Sequence, residues 1–196
     1  LSILSYYENF NVIGIVDRNR DFFGETIGSS IIKHEYNDLK NLKRKGIENA
    51  VIAIGDNVER RSLFDILVKI GFKLPNFIHP NSFLEKSVKM GYGNVICMSA
   101  NIGSFVKIGN NCIIYGGTIE HESILKSNVF IAPSVSLAGR VTIGNSCYIG
   151  IGSSIIEKII VGNFATVGAG AVVLDDVSEN ITVAGNPAKV IRNRVK

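Results

Sequence analysis

From Leu84 to Val173 an aliphatic or similar residue recurs at every sixth place, with one exception. The series runs Leu84, Met90, Ile96, Ile102, Ile108, Ile114, then Ile119, Leu125, Ile131, Leu137, Ile143, Ile149, Ile155, Val161, Val167 and Val173. Four places after each there is usually a small or β-branched residue, as at Val106, Cys112, Thr118, Ser123, Val129, Val135, Val141, Cys147 and Ser153. A helix repeats at 3.6 residues and a flat sheet at two, so neither satisfies period six. Short strands joined by tight turns do, when three hexapeptides close one triangular coil. Coils stack at the strand spacing of ~4.8 Å, so this stretch predicts about five coils and a prism on the order of 25 Å tall. Glycine often follows the aliphatic residue, as in "IGSFVK", "IGNNCI" and "VGNFAT". Glycine and Asn at the corners are expected to supply positive φ. Such a solenoid buries its core only by stacking and needs a cap at each end. The segment "DDVSENITVAGNPAKVIRNRVK" is expected to close one of them.

Up to about Leu74 the pattern is different. "NVIGIVD" is an apolar run ending at Asp17 and reads as a buried strand, and "ENAVIAIGDN" as a second. "VERRSLFDILVKIG" then places Val58, Leu63, Phe64, Leu67 and Ile70 at helical spacing, with Asp56 or Asn57 to cap the start and Gly71 the end. The expected organisation is an α/β unit with a parallel sheet over residues 1–76, capping the other end of the prism, and a β-helix over residues 77–196. The opening "LSILSYYENF" reads as a helix already under way, so the native start is expected upstream of Leu1.

The exception to period six lies between Ile114 and Ile119, a step of five. It is followed at once by "TIEHES", which sets His121 between Glu120 and Glu122. We expect the missing residue to reshape the turn that carries His121. A lone histidine at a corner reads either as a solvated polar residue or as a working one. The flanking carboxylates favour the second reading. An imidazole titrates near neutrality, and a bonded carboxylate fixes its tautomer and raises its basicity. That is what a general base needs to take a proton from an amine or hydroxyl attacking a thioester. The chain holds no GxSxG and no cysteine partnered with a histidine, so direct attack by the acceptor is the simpler reading.

Composition narrows the classes. At 46% hydrophobic the chain is too apolar for disorder, and its formal charge is only +4. "KNLKRKG" and "VIRNRVK" read as solvated faces rather than a nucleic-acid site. Cys97, Cys112 and Cys147 are odd in number, share no metal spacing, and read as reduced core thiols of a cytoplasmic protein. No apolar run is long enough to span a membrane. A zinc β-helix enzyme would need about three histidines on neighbouring coils. Of His34, His79 and His121, only the last falls within the repeats, His34 reading as a surface loop residue and His79 as structural.

The segments "FIHPNS", "TIEHES", "NVFIAPSVSLAGRVTIGNSCYIGIGSSI", "VGAGAVV" and "AGNPAKVI" carry a resemblance. The chain resembles the hexapeptide-repeat, left-handed β-helix sugar O- and N-acyltransferases of sialic acid and nucleotide-linked amino sugars. The resemblance implies acetyl-CoA as co-substrate, no metal, and a homotrimer with active sites between subunits. It implies His121 as general base, Glu122 as its partner, and a Gly139 N–H facing the thioester carbonyl. Ile151, Gly168, Ala169, Asn186, Pro187 and Lys189 would line the acetyl-CoA groove, and Asp17 would lie where the nucleotide base is held. The family's opening Gly-rich turn, which contacts the nucleotide phosphates, does not occur in the chain. Phe130 stands where relatives commonly carry a histidine against the acceptor or acetyl group. Phenylalanine cannot donate that hydrogen bond, which implies a more apolar acceptor pocket. The expected reaction is N-acetylation of a nucleotide-linked amino sugar. The alternatives are O-acetylation of sialic acid or a related sugar, and a non-catalytic trimeric scaffold.

Overall fold

The computed structural model describes residues 2–193; residues 194–196 of the basic tail lie outside them. From Phe77 onward the chain winds as a parallel β-helix with three faces. The first face stacks Phe77–Ile78, Val95–Ile96, Ile113–Ile114, Phe130–Ile131, Tyr148–Ile149, Thr166–Val167 and Ile181–Ala184, with Lys189–Asn193 antiparallel at its end. The second face begins at Phe83–Leu84 and includes Gly117–Ile119 and Val135–Leu137. The third begins at Lys89–Met90 and includes Ile124–Leu125 and Thr142–Ile143. The first coil therefore opens at Phe77, one strand before the first residue of the aliphatic series. Equivalent residues are 18 apart along most of the prism, as at Leu125 and Ile143. The aliphatic series points inward: Ile96, Ile102, Ile114, Ile131, Ile143 and Ile149 are all fully enclosed. Each such side chain removed from water contributes roughly 1.5–3 kcal/mol before the entropy of ordering the chain is set against it.

The corners differ from expectation in two ways. The glycine that follows the aliphatic residue does not supply positive φ; its role is to let coils stack. A Cβ on Gly144 would lie 2.6 Å from Asn163 N, and one on Gly162 would lie 2.5 Å from Glu179 N. Positive φ falls two places after the aliphatic's successor and is taken by many residue types, among them Phe105, Glu122, Arg140 and Lys158. The missing residue is also elsewhere. Corners from the first face to the second hold three residues before Ala100 and before Val135, but only Tyr115 and Gly116 before Gly117. Gly117, not Thr118, takes the small inward place, paired with Ala100 and Val135. The corner that carries His121 comes one strand later and has ordinary length.

Ahead of the prism, Leu39, Leu42, Ile52, Phe64, Leu67, Phe72 and Leu74 form a separate core. Its framework is two helices, α1 (Leu39–Arg44) and α2 (Asn57–Ile70). The Asp56 carboxylate accepts from Val58 N at 2.9 Å and Glu59 N at 2.8 Å, and Gly71 at φ 93° ends α2. The sheet is mixed. Ile15–Val16 runs parallel to Ser30–His34, and Thr26–Ile27 runs antiparallel to the same strand. "ENAVIAIGDN" forms no strand; its one bridge joins Asn49 to Lys73 just beyond α2, although Ile52 is buried. His34 ends a strand rather than lying in a loop. The opening segment is a short 3₁₀ turn, Ser2–Tyr6, and packs against the first strand of the prism rather than in this core. Tyr7 Oη donates to Ile78 O at 2.9 Å, and its ring meets Phe77 edge-on.

Polar side chains join α2 to the first face. Val58, placed by spacing on the apolar side, is exposed, while Asn57 and Arg60 are buried. Asn57 Nδ2 donates to Cys147 O at 2.9 Å. The Arg60 guanidinium donates to Asn128 O and Asn111 O on the prism and to Ile54 O and Gly55 O in its own domain. Burial pushes the Arg60 pKa down to about 10, so the guanidinium stays charged at neutral pH, with four backbone carbonyls as its acceptors.

Candidate active site

The corner from Gly117–Ile119 to Ile124–Leu125 has the same backbone as its neighbours one coil on either side. Its positive-φ place falls on Glu122, at 58°, and the same place one coil later on Arg140, at 63°. That turn throws the two side chains outward, one above the other. Arg140 Nε donates to Glu122 Oε2 at 2.9 Å. The same oxygen lies 3.2 Å from His121 Nδ1. All three side chains are about half exposed. Arg140 first, and His121 second, hold the Glu122 carboxyl below the usual carboxylate range. Glu122 is thus a carboxylate throughout the neutral range. Its depressed value means that its contribution persists above the ordinary carboxylate pKa and is lost only as pH falls through the lower folded one.

A carboxylate at Nδ1 selects the tautomer with the proton on that nitrogen, which leaves the Nε2 lone pair free. Nε2 lies over Gly139. A Cβ built there would sit 2.6 Å from Nε2 and 2.7 Å from Cε1, so the imidazole occupies the space that any side chain at 139 would need. Ala138 N and Arg140 N are spent on Ile155 O and His121 O. Among the described residues the Gly139 N–H makes no backbone hydrogen bond. An imidazole of fixed tautomer and an unspent backbone donor thus meet at one corner.

The other expected site residues lie elsewhere. Ile151, Gly168, Ala169, Asn186 and Pro187 follow first-face strands and line the edge between the first and second faces. His121 lies on the edge between the second and third. The first–second edge is built small: a Cβ on Gly168 would lie 2.8 Å from Ala184 Cβ, and one on Gly150 would lie 2.7 Å from Ala169 N. Ile151 stands out from it, 53% exposed. Lys189 begins the antiparallel final strand. Phe130 is on the first face, buried between Tyr148 at 5.0 Å and Tyr115 at 5.6 Å, with the Arg60 guanidinium over its ring. Asp17 lines an open depression with Arg18, Asn19 and Glu59. One chain therefore joins His121, Glu122 and Gly139, and holds the remaining positions apart from them. Among the described residues, no group of three or more His, Cys, Asp or Glu converges as metal ligands, and no helix is long and apolar enough to cross a membrane.

Comparison with known proteins places the fold. Residues 1–67 match the family described as PglD N-terminal domain. The acetyltransferase domain of PglB from Neisseria gonorrhoeae, solved with acetyl coenzyme A, superposes with TM-score 0.84 at 30% identity, over 97% of this chain and 90% of that one. The chain belongs to the hexapeptide-repeat, left-handed β-helix sugar acyltransferases. PerB from Caulobacter crescentus, solved with CoA and GDP-perosamine, matches at 29% identity and TM-score 0.86, over 91% of this chain and 84% of that one. Among curated relatives, the Saccharomyces cerevisiae protein YJL218W is 34% identical over 57% of this chain, and the bifunctional protein GlmU of Acinetobacter baumannii is 31% identical over 68%. The chain spans 63% of the first of these and 30% of the second.

Arg140 is the residue that sequence reading passed over. Two signals mark it: it follows Glu122 by one coil of 18 residues, and it carries the opposite charge. The two charges become a pair only when the coil sets Arg140 over Glu122.

Proposed function

We propose that the protein transfers the acetyl group of acetyl-CoA to the amino group of a nucleotide-linked amino sugar, with His121 as general base. The observation that carries this reading is the disposition of His121, with Nδ1 on the Glu122 carboxylate and Nε2 free above Gly139. The acceptor amine, uncharged, attacks the thioester carbon. Nε2 takes its proton as the C–N bond forms, and the Glu122 carboxylate balances the imidazolium. The oxygen of the tetrahedral intermediate gains negative charge, which the Gly139 N–H is placed to stabilise. Collapse breaks the C–S bond, and the imidazolium returns its proton to the departing thiolate.

The donor fits the first–second edge, where glycine and alanine leave room for an extended chain and Ile151 offers an apolar contact. The nucleotide fits the depression at Asp17. Solved relatives with CoA, acetyl-CoA and GDP-perosamine support these chemical classes. The His121 edge and the donor edge are different edges of one prism. Their meeting therefore calls for a second copy, and a three-fold ring of prisms brings the second–third edge of one chain to the first–second edge of the next. Acetyl-CoA and nucleotide sugars are cytoplasmic pools, which puts the protein there.

The test is thiol release from acetyl-CoA with UDP- and GDP-linked amino sugars, set beside free and CMP-linked sialic acids. Turnover on an amino-sugar nucleotide, reduced by roughly 10²–10⁴-fold in His121→Ala, is the expected result. Turnover confined to the sialic acids would overturn the amine reading and leave an O-acetyl transfer. No turnover with any acceptor would overturn catalysis and leave a scaffold.

A further inference from the structure

The His121 corner contains more than a base and its carboxylate. Glu122 Oε2 is shared: it lies 3.2 Å from His121 Nδ1 and 2.9 Å from Arg140 Nε. With the imidazole neutral, the three groups sum to zero charge; with it protonated, they sum to +1. A histidine paired with a lone carboxylate would pass from −1 to zero. The guanidinium therefore opposes protonation of the imidazole that the carboxylate invites.

We infer that Arg140 is a positioning residue that sets the proton affinity of His121 through the shared Glu122 oxygen, keeping the base neutral at lower pH than the His–Glu pair alone would. The inference rests on His121 acting as the base. The other groups at this corner are accounted for. Glu120 precedes His121 on the same turn, and Glu157 and Lys158 occupy the equivalent places one coil beyond Gly139 and Arg140. One coil before, the equivalent places are Ser104 and Phe105, which carry no charge. Among the described residues Glu122 is the carboxylate in ion-pair reach of both His121 and Arg140. Arg140 is itself half exposed and makes no other ion pair among the described residues, so it can be exchanged without opening the core.

Arg140 Nε lies 2.9 Å beyond the shared oxygen. At ~6 Å from the ring in a water-like dielectric, removal of the guanidinium charge shifts the imidazole by roughly half a pH unit. The test is Arg140→Met, with Arg140→Lys as the charge-retaining control. Two readouts are taken: the acid limb of kcat/KM, and the His121 imidazole resonance followed by NMR against pH and assigned with His121→Ala. The expected result is that both midpoints rise by roughly half a unit in Arg140→Met and stay near wild type in Arg140→Lys. The loss of activity in Arg140→Met should then be largest in acid and fade as pH rises. A loss equal at all pH values, with an unmoved resonance, would reduce Arg140 to a brace for Glu122 and overturn the inference. The resonance needs no turnover. If it shifts while no acceptor reacts, the tuning stands and the acetyl-transfer reading fails.

Discussion

Two edges of the same prism have been put to opposite uses. The second–third edge presents an imidazole and a guanidinium that share one carboxylate oxygen, on corners of ordinary shape. The first–second edge has been stripped down to glycine, alanine and one prominent isoleucine around Gly150, Ile151, Gly168 and Ala169. The backbone under both is the same triangular coil. One edge holds reactive groups, the other holds space, and in a single chain they do not meet. The coil supplies both kinds of surface because its core columns point inward at every level, whatever the corner carries.

The largest effect should come from emptying the reactive edge. His121→Ala lowers kcat by roughly 10³-fold without changing thermal stability, since the side chain is half exposed. The sharpest test of the two-edge division uses two impaired variants together. Ala169→Trp fills the small edge and should raise KM for acetyl-CoA with little change in kcat. Co-refolded in equal amounts with His121→Ala, it should restore roughly a quarter of the sites if each is built from two chains. Activity that stays at the sum of the separate variants would place each site within one chain. Next is Gly139→Ala, which keeps the N–H but puts a Cβ where Nε2 lies. A kcat loss of about 10–100-fold is expected, and no further loss when the change is added to His121→Ala. Glu122→Gln removes the charge that fixes the tautomer and should cost about tenfold in kcat. Gly117→Ala tests the shortened corner lower on the first–second edge. A Cβ there would lie 2.2 Å from Val135 O at φ 94°, so stability should fall by about 3 kcal/mol and Tm by roughly 6–12 °C.

The prism was legible because its rule is local. Period six can be counted along the chain, and the residues it selects, such as Ile96, Ile131 and Ile149, are those with no exposure. His121 and Glu122 were legible as a pair because they are adjacent, and Gly139 joined them only through the family resemblance. What lay beyond the sequence was relation across 18 residues. Arg140 acquires meaning only when the coil sets it over Glu122. The five-residue step was visible, but its placement was misjudged by one corner, since counting from aliphatic to aliphatic does not say which turn of the triangle lies between. The α/β domain was less legible for another reason. Helical spacing marked an apolar stripe that included Val58, whereas two different neighbours compete for α2. Its own core takes Phe64 and Leu67, and the prism takes Asn57 and Arg60. A buried arginine held by four carbonyls has no apolar signature.

The shortened corner at Tyr115–Gly116 bears on how such a molecule can vary. Losing one residue inside an α-helix would rotate everything beyond it by about 100°, and inside a strand it would exchange the two faces. Here the loss is absorbed before the next strand. Ile114 and Ile119, on either side of it, are both enclosed, and the 18-residue register resumes from Gly117 and Val135 onward. The coil thus behaves as a set of independently adjustable rungs. A corner can change length, and with it what the surface offers at one height, while the columns above and below keep their register.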